Sequence, residues 1–148
     1  MTEFRDAARA SGAHPLHVIL AAYPIACFTG AFVTDLAYAE TYQMQWANFS
    51  VWLIAVGVVM GVLAAIAGLV DYALHRGDRA RRSASLHTLG NALALLLAVV
   101  NGFVHSRDAY TSVMPTGLVL SAIVAVLVLV SSWLGSTLSW APRRGDMR

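Results

Sequence analysis

The sequence predicts an all-α membrane protein: an antiparallel four-helix transmembrane bundle, up-down-up-down, with both termini cytoplasmic. Three observations predict it. Four apolar segments are each long enough to cross a bilayer, the stretches joining them are short and polar, and the arginines gather on alternate ends. The composition agrees, being 58% hydrophobic and 12% charged, whereas roughly a quarter of the residues of a soluble domain carry charge. A soluble chain of 148 residues could not cover that much apolar surface.

A spanning helix needs about 20 mostly apolar residues, and the segments that qualify are roughly 15–37, 47–74, 84–104 and 113–137. They make one membrane domain, 13–140, preceded by a polar N-terminal segment, 1–12, and followed by a basic tail, 141–148. The first run is too long for a cleaved signal peptide and lacks its small-residue exit, so it is expected to remain in the mature chain. Pro15 suits the first turn of a helix, where its missing N–H would have no partner. Pro24 falls inside the first span and frees the carbonyl of Leu20. Residues 38–46 are the expected first connection. The second span is the longest and ends in a charged turn, His75 to Arg82. The third stops at Ser106-Arg107-Asp108, and Pro115 lies near the start of the fourth.

Orientation follows from arginine, the only basic residue besides histidine. Nine arginines lie on the N-terminus, the second connection and the C-terminus; Arg107 alone lies on the other side. The positive-inside rule then places both termini of a multi-pass protein in the cytoplasm. Tyr38, Tyr42, Trp46, Trp52 and Tyr110 are expected to form the outer aromatic belt, Trp133 and Trp140 the inner one. The net charge is +2, and no basic patch interleaved with aromatics points to nucleic acid. Cys27, the single cysteine, excludes an internal disulfide and reads as a small buried hydrophobe.

Polar residues at membrane depth are costly and normally face the bundle interior. Positions 18 apart share one line of a helix, which aligns His17 with Asp35 on the first span and His87 with His105 on the third. Asn91 and Asn101 lie close to the second line. By topology an inner layer holds His14, His17, Asp71, His87 and Asn91, with the rings of His17 and His87 at similar depth and able to face each other. An outer polar cluster holds Asp35, Asn101, His105 and Arg107, with Glu40 nearby. His75 falls just outside the lipid. On the second span Gly57, Gly61, Ala64 and Gly68 form a smooth stripe for close helix contact.

Three chemistries fit the inner layer. His17 and His87 could ligate a haem b iron axially. His14, His17, Asp71 and His87 could hold a transition metal ion. The polar side chains could instead lock helix register with no cofactor bound. Passage of protons or ions along the two stripes is a weaker reading, because Ala21, Phe28, Ala94 and Ala98 leave their middles apolar. No Ser-His-Asp order, nucleophile elbow, P-loop or dinucleotide fingerprint is present, so no independent catalytic activity is expected.

The motifs occur in a recognisable order: His14-Pro15-x-His17, Pro24, Gly61 to Gly68-x-x-Asp71, His87-x-x-x-Asn91 and Ser132-Trp-Leu-Gly135. Over about residues 13–140 the chain resembles the bacterial integral membrane protein family catalogued as domain of unknown function 2231. The resemblance implies a four-helix membrane unit whose polar positions match His14, His17, Asp71, His87 and Asn91. Some relatives are joined to Rieske or cytochrome c modules, which implies a redox setting like that of small b-type cytochrome bundles. This chain carries neither a Cys-x-x-Cys-His motif nor a Rieske ligand set, so it would be only the membrane part, with a separate redox partner protein. The third-helix histidines are farther apart than in two-haem bundles, which favours one haem near the inner face. The alternative is a structural or assembly subunit of a membrane complex; self-association is compatible with either.

Overall fold

The computed structural model describes residues 15–74, 81–107 and 109–139, with side chains over 17–70, 86–107 and 111–136. The elements are α1 (Pro15–Thr41), α2 (Met44–Leu74), α3 (Arg81–His105), a short 3-10 turn (Ala109–Ser112) and α4 (Thr116–Ser139). There is no strand among the described residues. Each of the four helices is long and apolar enough to cross a membrane, and together they form an all-α four-helix membrane bundle. The polar segment 1–12 and the tail 141–148 lie outside the described residues.

Cross-helix contacts give the register. A Cβ on Gly57 would meet Phe28, one on Gly61 would approach Pro24, and one on Gly68 would meet His17. Numbers therefore rise on α2 as they fall on α1, and the pair is antiparallel. The same holds for α2 and α3, where Gly61 meets Leu95 and Gly102 meets Ile54. It holds again for α3 and α4, where Gly90 meets Ser131 and Gly135 meets His87. Helix α4 also packs on α1, closing a ring in which α1 and α3 stand on one diagonal.

The small-residue stripe of α2 packs as its spacing suggests. Glycine and alanine let backbones approach closely without losing side-chain entropy, and here they receive Phe28, Pro24 and His17 from α1. The middle of the bundle is a dry layer of Phe28, Ala98, Val124 and Val128, with Ile25, Val58 and Leu97 packed around it. Large apolar side chains such as Leu96, Phe103, Val126 and Leu129 cover the outside, as a lipid-facing surface requires.

Two connections differ from the expected ones. Residues 38–46 do not form a loop: α1 runs on to Thr41, α2 resumes at Met44, and only Tyr42 and Gln43 lie between. Tyr42 takes a left-handed conformation (φ 55°), its N–H donates to the Tyr38 carbonyl at 2.7 Å, and Thr41 Oγ1 accepts from the Gln43 N–H at 3.4 Å. Before α4 the chain makes the 3-10 turn, and the helix starts at Thr116, just after Pro115, instead of at 113.

Tyr38 does not join the aromatic belt. It is buried with Ala47 and Val113, and closes the core at that end. Tyr42, Trp52 and Trp133 are exposed, and Trp46 is half-buried beside Phe49.

Candidate functional site

Polar side chains gather at both ends of the ring. At one end, called the His17 end, His17 is half-buried on α1 with its Nδ1 3.0 Å from the Ala64 carbonyl of α2. A carbonyl only accepts, so Nδ1 carries a hydrogen and donates it. Gly68 allows this seat: a Cβ there would lie 3.1 Å from the His17 Cε1.

His87 repeats the arrangement on the other pair of helices. Its Nδ1 donates to the Ser131 carbonyl of α4 at 2.7 Å, and Gly135 makes room, since a Cβ there would lie 2.7 Å from Nδ1. Asn91 Nδ2 donates to the His87 carbonyl at 3.0 Å. That same nitrogen is 3.3 Å from Nδ1 and 3.2 Å from Nε2 of the ring. The Asn91 amide therefore braces the imidazole from one turn along the same helix.

Each ring lies in a groove of a neighbouring helix, His17 on α2 and His87 on α4, from opposite corners of the ring of helices. No described residue of this end beyond Pro24, Ala64, Ala94 and Ser131 is fully buried. His14 and His75 lie outside the described residues, as does the side chain of Asp71, although its backbone is in α2. Among the described residues no three His, Cys, Asp or Glu side chains converge as a metal-ligand group.

At the opposite, Arg107 end, polar groups are sealed. His105 Nε2 lies 3.0 Å from Asp35 Oδ1, with both side chains at 0% exposure. His105 Nδ1 donates to the Asn101 carbonyl at 3.0 Å, and Asn101 Nδ2 donates to Ser121 Oγ at 2.8 Å. The structure brings Asp35, Asn101 and His105 together. It leaves Arg107 and Glu40 exposed at the rim.

Several partners were not among the residues singled out from the sequence. Ala64 and Ser131 act through main-chain carbonyls, which no residue-type pattern reveals. Ser121 was detectable in principle, as a polar side chain inside an apolar span. Gly117 was not: a Cβ there would lie 2.8 Å from His105 Cε1 and 2.8 Å from the Ser112 carbonyl oxygen, a closeness only the fold creates. Thr34 and Ser50 tie α1 to α2 through a 2.7 Å hydroxyl pair.

Fold and site together define a multi-pass membrane protein with histidines seated at both ends of a four-helix bundle. The sequence profile of the family described as "Predicted membrane protein (DUF2231)" matches residues 13–146, and the chain belongs to that family. No curated protein and no solved structure matches it.

Proposed function

We propose that the protein is a membrane electron-transfer module in which His17 and His87 would hold one haem b between α1 and α3. The observation that carries this reading is the state of the two imidazoles. Both direct Nδ1 at a main-chain carbonyl, Ala64 for His17 and Ser131 for His87, and the Asn91 amide lies 3.2 Å from Nε2 of His87. Histidines that hold a metal almost always donate their other ring N–H to an oxygen in this way, which fixes the tautomer and raises the basicity of the ligating nitrogen.

The residues fit the group on two further counts. His17 and His87 belong to helices on one diagonal of the ring, and full burial runs out beyond Pro24, Ala64, Ala94 and Ser131. Among the described side chains, those of the end that carries these two histidines are the less buried. The haem would supply one-electron exchange. The chain's own part is to orient His17 through Ala64, to orient His87 through Ser131 and Asn91, and to admit both rings through Gly68 and Gly135. Arginine asymmetry supports a cytoplasmic placement of this end in a bacterial inner membrane, where a redox partner protein would reach it.

The transition-metal alternative draws on His14 and Asp71, whose side chains are not described. A second reading has its own support: the His17 and His87 bonds each tie one helix to its neighbour, as a structural or assembly subunit needs. Absorption spectroscopy of the detergent-purified protein separates the two. The haem reading expects a Soret band after expression with supplemented haem, lost in His17→Ala and in His87→Ala. A wild-type protein without that band overturns it in favour of the structural reading.

A further inference from the structure

The buried pair at the Arg107 end plays no part in the haem reading and carries an inference of its own. His105 Nδ1 must carry a hydrogen, because it faces the Asn101 carbonyl at 3.0 Å. The other nitrogen, Nε2, is 3.0 Å from Asp35 Oδ1. Without a proton between them, two lone pairs would oppose each other where neither side chain is exposed. The contact therefore holds one proton, and ring and carboxyl together are neutral whichever atom carries it. A neutral pair gives a metal cation little to bind.

Two acceptors remain. Asp35 Oδ2 and Asn101 Oδ1 are both buried and accept no hydrogen bond from any described group. Acceptors in this situation call for a neutral molecule that brings two donors, and water is the small molecule that does so.

The approach to the pair is one-sided. A cavity of about 320 Å³ is lined by Gln45, Asn48, His105, Arg107 and Ser112, among others. His105, one of these lining residues, is 6% exposed as a residue while its side chain is at 0%, so what is exposed of it is main chain. Toward the His17 end, the layer of Phe28, Ala98, Val124 and Val128 is at most 3% exposed and offers no polar side chain. Among the described side chains, the other ionisable groups of this end are Tyr38 and Glu40 on α1, the exposed Tyr42 in the link to α2, and Arg107 on α3. Tyr38 is engaged with Met44 Sδ, Glu40 and Arg107 are exposed, and α2 and α4 contribute none.

We propose that Asp35, Asn101 and His105 bind a water molecule and form a proton-exchange centre that opens only to the Arg107 side of the membrane. A proton arriving through the cavity passes from the bound water to Asp35 Oδ2, and the pair becomes singly positive. The reverse transfer returns a proton to water and restores neutrality, and no electrons move.

Infrared spectroscopy of oriented proteoliposomes, prepared in both orientations, tests this. On a step of the outer pH held by a membrane-impermeant buffer, the carboxyl band of Asp35, assigned by its loss in Asp35→Asn, shifts when the Arg107 end faces out. It shifts at least tenfold more slowly when the His17 end faces out. Equal rates from both sides, or no shift from either, overturn the proposal. If Asp35→Asn does not fold, nitrogen-15 NMR of histidine-labelled wild-type protein takes its place: a protonated Nδ1 and a proton shared at Nε2 are expected for His105, in magnetisation contact with water. A bare Nδ1, or no water contact, overturns it.

Discussion

His105 and Asp35, 70 residues apart in sequence, meet at 3.0 Å across the diagonal of the bundle. Neither side chain is exposed, and the contact joins α1 to α3, helices that stand at opposite corners. A buried pair of this kind stabilises little against an apolar replacement, but removing one partner leaves the other stranded.

His105→Ala is therefore expected to destabilise the bundle by about 3–5 kcal/mol. The double replacement Asp35→Leu with His105→Leu should recover much of that loss. Thermal denaturation in detergent measures both. A double variant no more stable than the single one would show that the pair itself holds the helices together.

Gly57 faces Phe28 so closely that a Cβ would sit 2.6 Å from the ring Cε1. Gly57→Ala should cost roughly 1–3 kcal/mol through overpacking, with partial relief from Phe28→Leu. Gly30→Ala is the control, since its nearest neighbour would be Leu53 at 3.4 Å. Melting temperatures of the three variants would rank Gly57→Ala lowest.

Gly135→Ala pushes a methyl group into the His87 ring, 2.7 Å from Nδ1. Under the haem reading it should weaken the Soret band nearly as much as His87→Ala. Gly102→Ala, whose Cβ would meet only Ile54 at 3.6 Å, should leave the band intact. Titration of each purified variant with haem gives the comparison.

Gly117→Ala brings a Cβ to 2.8 Å from both His105 Cε1 and the Ser112 carbonyl. The carbonyl belongs to the backbone and yields poorly, so the imidazole must turn away from Asp35. The expected result is a drop in stability that Asp35→Leu with His105→Leu does not deepen further. Additive losses in the triple variant would mean that Gly117 acts on something other than the pair.

Much of the fold was legible because each span is a long apolar run, and because bilayer thickness sets a length that the sequence must meet. Of the side chains that the 18-residue alignment puts on inward faces, Asp35 and His105 are buried, and His17 and His87 are half-buried. Reading stopped where main-chain groups took over. Ala64 and Ser131 hold the two imidazoles through carbonyls, so the helices each ring leans on could not be inferred from residue types. The connection at 38–46 was overestimated because Glu40, Thr41 and Gln43 are polar, yet a helix can extend past the lipid at no cost to its own hydrogen bonds. Tyr38 was assigned to the belt as an aromatic near the interface. It turned inward because Ala47 and Val113 leave it a place in the core.

The two-residue link at Tyr42 and Gln43 has a mechanical consequence. With so little slack, α1 and α2 behave as one arm, and the His17 bond to Ala64 travels with it; the His87 bond to Ser131 travels with the arm made by α3 and α4. The buried contact of Asp35 with His105 joins one arm to the other, so parting the arms at the Arg107 end would first have to break it.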